Sequence, residues 1–80
     1  MVQIKVLGSG CENCKRVEAT ARKVVTALGI EAEIIKVTDY AEIHKYPILA
    51  TPGLVINEKL VSAGRIPNET EVTTWITNVL

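Results

Sequence analysis

Apolar and polar residues follow two different periods along this chain, and the switches between them divide it into seven elements. Val2, Ile4 and Val6 alternate with Gln3 and Lys5 ahead of Gly8-Ser9-Gly10, which predicts a strand over Val2–Leu7 ended by a loop. The period then lengthens. Val17, Ala21, Val24, Val25 and Leu28 recur at helical spacing, while Lys15, Arg16, Glu18, Arg22 and Lys23 take the other face, with Glu18 and Arg22 placed to pair. Gly29 is the stop signal. Ile30–Val37 returns to strand character, and Glu31 and Glu33 alternating with Ala32 and Ile34 put it at a sheet edge with one solvated face.

A short helix is expected next, with Asp39 as N-cap, Glu42 completing a capping box, Tyr40 and Ile43 on its buried side and Pro47 ending it. Gly53-Leu54-Val55-Ile56 and Leu60-Val61-Ser62-Ala63 flank Asn57-Glu58-Lys59, a hairpin with a short polar turn. Asn68 with Glu71 makes a second capping box. Val72, Trp75, Ile76 and Val79 then define the core stripe of a final helix.

The resulting order is β-α-β-α-β-β-α. A strand, a crossover helix and a strand imply a parallel pair, and the hairpin adds antiparallel strands, so the expected fold is an α/β four-stranded mixed sheet. Helices should cover both faces, the first and last on one and the short middle helix on the other. No internal repeat or linker interrupts residues 1–80, which read as one domain.

Composition narrows what such a fold can do. The chain is 48% hydrophobic with only Tyr40, Tyr46 and Trp75 as aromatics, so Val, Ile, Leu and Ala must build the core. Nine basic and nine acidic residues are interspersed and cancel, leaving no field to attract nucleic acid or an anionic membrane. No run approaches the roughly 20 apolar residues of a membrane span, and no leader pattern opens the chain. A soluble, cytoplasmic protein with neither nucleic acid nor membrane as partner is expected.

The chemistry lies at Cys11 and Cys14, between the first strand and the first helix. A helix start offers unpaired N–H groups and the positive end of the macrodipole, which stabilise a thiolate and acidify the thiol. Two cysteines three apart cannot staple distant parts of a fold. The pair alone permits two chemistries, dithiol/disulfide exchange or soft-metal binding by two thiolates. Thr51-Pro52-Gly53, where the chain turns into the third strand, separates them. An X-Pro bond adopts cis at low cost, and a cis bond here would turn the Thr51 backbone outward, where an extended substrate could pair with it as an added strand.

With Cys11-Glu12-Asn13-Cys14 after the first strand, Thr51-Pro52-Gly53 before the third and Ala63-Gly64 before the last helix, the chain resembles the thioredoxin-like superfamily in a minimal, glutaredoxin-sized form. The resemblance covers essentially the whole chain. It implies a cis Pro52, a nucleophilic Cys11 and a resolving Cys14, with Gly10, Glu12, Asn13, Thr51, Pro52 and Gly64 forming the substrate surface. It also implies a thiol-disulfide oxidoreductase that reduces client protein disulfides through a mixed disulfide, needs no cofactor or metal, and draws electrons from a reductase or a low-molecular-weight thiol. The chain departs from thioredoxins in having Gly10 before the first cysteine, Glu12-Asn13 between the two, and Lys5 about where they carry a buried aspartate.

The remaining candidates read more plainly. His44 on a short polar helix is a solvated residue, Trp75 fills the core, and Lys5 snorkels past the sheet. Tyr46 either lines the surface near Pro52 or packs. The rival function is a copper or zinc carrier built like heavy-metal-associated domains. Those have the order β-α-β-β-α-β and end in a strand, whereas a capped amphipathic helix ends this pattern and Thr51-Pro52-Gly53 would have no purpose.

Overall fold

The computed structural model describes residues 1–80. Its elements are β1 (Val2–Leu7), α1 (Glu12–Leu28), β2 (Ala32–Val37), α2 (Tyr40–Ile43), β3 (Gly53–Ile56), β4 (Lys59–Ala63) and α3 (Glu69–Thr77). The strands form one sheet in the order β2-β1-β3-β4, with β1 and β2 parallel and the other pairs antiparallel. β2 is an edge, as expected, with Glu33 exposed to solvent.

Pleating decides which residues meet which helix. Val2, Ile4 and Val6 of β1 point with Leu54 and Ile56 toward α1 and α3, where Val17, Ala21, Val24, Val72 and Ile76 complete a fully apolar cluster. The opposite pleat sends Leu7 and Val55 against Ile43 and Ile48. Helices therefore cover both faces, one far more thickly than the other.

Helix ends follow their local chemistry. Gly29 closes α1 in the left-handed conformation at φ 64°. At α3 the Asn68 side chain accepts from the Glu71 N–H (2.8 Å), and Glu71 accepts in return from the Asn68 N–H (3.2 Å). The box expected at α2 does not form. Asp39 caps the Ala41 N–H at 2.9 Å, but Glu42 turns to Lys45 instead of returning to the cap.

Four other expectations are corrected. β2 begins at Ala32, because Ile30 still belongs to the turn closing α1 and donates back to Val25. The hairpin turn is Asn57-Glu58 alone, both at positive φ as a two-residue turn between twisted strands demands, so Lys59 already belongs to β4. Tyr40 is 76% exposed, since a four-residue helix buries one position and Ile43 takes it; Ile48, beyond Pro47, supplies the missing apolar contact. Val79 lies outside α3 and is exposed, while Trp75 packs half-buried against the main cluster.

Candidate active site

The cysteines stand where β1 ends and α1 begins. Cys11 is the N-cap of α1, in extended conformation, and its Sγ accepts from the Cys14 N–H at 3.2 Å. Glu12 and Asn13 complete the exposed first turn, and Gly10 reaches it through a positive φ of 82°. Cys11 and Cys14 are joined by a disulfide, with their Cα atoms 5.1 Å apart. Their environments differ. Cys11 is exposed while Cys14 is only 5% exposed, so one sulfur is within reach of a macromolecule and the other is shielded. Glu12, whose charge would oppose a thiolate on Cys11, is paired with Arg16 at 3.5 Å, and Lys15 adds a further cation.

Three backbone features bring the second motif to this place. The Thr51–Pro52 bond is cis, with Thr51 exposed and Pro52 buried. Gly64 donates its N–H to the Pro52 carbonyl at 2.8 Å, and its missing side chain lets it approach Ala50 closely, which ties the end of β4 to the 50–52 segment. Gly8 closes the arrangement. A Cβ there would run into Cys14 Sγ and lie 3.8 Å from Thr51 Cβ, so Gly8 is the point at which the cysteine loop and the proline segment meet. Sequence reasoning treated Gly8 as loop only; its one signal was being the first glycine after the strand.

The structure thus gathers Gly10, Cys11, Glu12, Asn13, Cys14, Thr51, Pro52 and Gly64 around the same end of the sheet. Leu49, fully exposed, leads into that segment. Other candidates fall elsewhere. His44 stacks on Tyr40 with ring centroids 4.1 Å apart. Lys5 Nζ donates to Glu58 (2.6 Å) and to the Tyr46 hydroxyl (3.0 Å), which in turn donates to Glu58 (3.0 Å). These bonds, chiefly that to Glu58, raise the Lys5 ammonium well above its usual range and hold the Glu58 carboxyl below its own. Lys5 therefore belongs to the hairpin, away from Cys14, and Tyr46 packs there instead of lining the Pro52 surface.

Comparison with known proteins gives a consistent picture. The family model for the thioredoxin domain matches residues 2–77. A thioredoxin of Methanocaldococcus jannaschii is 40% identical over 72 residues, 90% of this chain and 83% of that protein. A thioredoxin of Methanothermobacter thermautotrophicus is 36% identical over 72 residues, 90% of this chain and 94% of that protein. Among solved structures, thioredoxin-2 of a malaria parasite, a component of its protein secretion machinery, superposes with a TM-score of 0.72 over 98% of this chain and 82% of its own. At 13% identity that likeness concerns the fold alone.

Proposed function

The chain belongs to the thioredoxin family, and from that premise we propose that it reduces protein disulfides through Cys11 and Cys14. The observation that carries the reading is the asymmetric pair, an exposed sulfur at a helix N-cap bonded to a buried one beside Thr51-Pro52. In the reduced form the Cys11 thiolate attacks a client disulfide; the new bond joins Cys11 to one client sulfur, and the other departs as thiolate and takes a proton from water. Cys14 then loses its proton and attacks Cys11 Sγ. The Cys11–client bond breaks with its electron pair leaving on the client, which is now a dithiol, while the protein is left as the disulfide.

The surroundings fit a protein client. The exposed Thr51 backbone can accept an extended segment as an added strand, while Gly10, Glu12 and Asn13 flank Cys11 along the chain and Pro52 and Gly64 lie at the same end of the sheet. Leu49 offers an apolar contact beside them. A reductase or small thiol restores the dithiol, which suits a reducing cytoplasm. No helix is long and apolar enough to cross a membrane.

The test is reduction of insulin disulfides with dithiothreitol, glutathione or a thioredoxin reductase as donor. Wild type should turn over, and Cys14→Ser should accumulate a mixed disulfide that Cys11→Ser does not form. Trapping by Cys11→Ser alone would reverse the two roles. Absence of turnover, with tight copper(I) or zinc binding by the reduced pair, would put a metal carrier in place of the reductase.

A further inference from the structure

Gly8 is held in place by the sheet that it leaves. Its N–H donates to the Val37 carbonyl at 3.0 Å, and the preceding Leu7 has no accessible surface, so the backbone at this point has little freedom to move. A Cβ on Gly8 would collide with Cys14 Sγ and stand 3.4 Å from Cys14 Cβ and 3.8 Å from Thr51 Cβ. No other glycine of the chain meets a sulfur. Gly10 and Gly29 have open space where a Cβ would go, Gly53 would meet Ile48 and Leu7, and Gly64 would meet Ala50.

The collision does not weigh equally on the two redox states. In the disulfide, Cys14 Sγ is bonded to Cys11 Sγ, and Cys11 is fixed as the N-cap of α1 with its own sulfur accepting from the Cys14 N–H at 3.2 Å. The Cys14 sulfur then has nowhere else to go. In the dithiol that bond is gone, and rotation about the Cys14 Cα–Cβ bond can carry the sulfur to another staggered position. The room for it lies in a cavity of about 50 Å³ that Gly8, Gly10 and Cys14 line together. A side chain at position 8 would therefore press on the oxidised form and be relieved in the reduced one. Any cost of placing a Cβ on the backbone at φ 157° falls on both forms and cancels between them.

We propose that Gly8 is a positioning residue for Cys14: by leaving free the space that the bonded sulfur occupies, it stabilises the disulfide relative to the dithiol and makes the reduced pair a stronger reductant. The inference rests on the exchange reading above and deepens it. In the couple concerned, the disulfide takes up two electrons and two protons to give two thiols. A destabilised disulfide takes them up more readily, so a Cβ at position 8 moves the potential upward. The same space serves the second step of the exchange, because Cys14 must bring its sulfur to this position to displace the client from Cys11. Attack by the exposed Cys11 makes no such demand.

The experiment equilibrates wild type and Gly8→Ala in mixtures of reduced and oxidised dithiothreitol and counts thiols by alkylation and mass spectrometry. The equilibrium should shift toward the dithiol by about tenfold in Gly8→Ala, a potential about 30 mV higher, which corresponds to the lower part of the cost of forcing one methyl group into a packed site. Gly29→Ala, which also places a Cβ at positive φ but meets no atom, should lower the urea midpoints of both forms and leave the equilibrium in place. In rapid mixing with a disulfide-bonded peptide, Gly8→Ala should form the mixed disulfide at the wild-type rate and resolve it more slowly. An equilibrium that stays in place or moves toward the disulfide overturns the proposal, as does a mixed disulfide that forms slowly and resolves at the wild-type rate. Should oxidised Gly8→Ala fail to fold, the same substitution in Cys14→Ala protein decides the matter. No sulfur opposes the Cβ there, so a folded protein supports the proposal, while the same failure overturns it by placing the cost in the backbone or at Thr51. The dithiothreitol equilibrium needs no client, so its outcome is separate from whether the protein reduces insulin.

Discussion

The two faces of the sheet are built to different standards. The face under α1 and α3 buries ten apolar residues in one cluster, with Ile4, Ala21, Leu54, Val72 and Ile76 wholly inaccessible. The face under α2 buries four, Leu7, Ile43, Ile48 and Val55, and then gives way to Lys5, Tyr46 and Glu58. The thick face carries the stability of a chain too short to have much in reserve. The thin face holds down the segment that leads through Ile48 and Leu49 to Thr51-Pro52. The candidate site uses both, since the cysteines ride on α1 from the thick face and the proline segment comes from the thin one. Under the proposed exchange, a firmly held Cys11 next to a more lightly held Thr51-Pro52 segment matches the general rule that binding segments come from the less stable parts of a fold.

The largest expected effect tests that asymmetry directly. Ile4→Ala removes a side chain with no accessible surface from the middle of the ten-residue cluster and should cost about 4 kcal/mol, near the upper end for such truncations. Ile43→Ala opens its hole beneath a single helical turn that can settle into it, and should cost about 2 kcal/mol. Urea midpoints of the two variants measure the difference. Equal losses would mean that the faces share the load and that the contrast drawn from burial is wrong.

The same asymmetry governs how much was legible in the sequence. The thick face comes from long periodic segments, β1, α1 and α3, whose stripes were readable because each repeats over several turns or pleats. The cysteine pair and Thr51-Pro52 were readable for another reason: their residue types have few uses at such positions. On the thin face the pattern failed. A four-residue helix offers one buried position, so Tyr40 and Ile43 could not be ranked from spacing, and Ile48 enters from beyond a proline with no periodicity to announce it. Lys5 with Glu58, and Glu18 with Lys36, are separated by 53 and 18 residues respectively and become neighbours only through strand pairing in the first case and the packing of α1 on the sheet in the second. Gly8 escaped because its importance is the absence of an atom where Cys14 needs room.

A middle-sized effect contrasts the two caps. α3 on the thick face has the complete box, and Arg65 grips Glu71 with two hydrogen bonds, so that carboxyl is held down at about 2 by Arg65 first and by the Asn68 backbone second. A folded value below the ordinary 4.5 means that the stabilisation is complete above pH 4.5 and is lost as pH falls toward 2. Hydrogen exchange of α3 amides should therefore quicken through that window, and Glu71→Gln should flatten the dependence. Asn68→Ala should cost about 1 kcal/mol at neutral pH. α2 has no such box, because Glu42 is turned to Lys45. If α2 loosens first on acidification, the thin face is the acid-sensitive one and the contrast inverts.

The smallest effect is expected at Lys5, where the thin face gives way to solvent. Lys5 and Lys36 sit on adjacent parallel strands, and each ammonium meets a glutamate. Lys5→Met keeps the aliphatic stem against the sheet and removes only the charge. What remains is satisfied, because Tyr46 still donates to Glu58, and an exposed ion pair of this kind contributes little and is screened by salt. The urea midpoint of Lys5→Met should shift less than that of Asn68→Ala, and the shift should shrink further in high salt. A Lys5→Met protein that loses as much as Asn68→Ala, by an amount that salt does not reduce, would show that the Lys5–Glu58 pair anchors the thin face and that the contrast drawn from burial is incomplete.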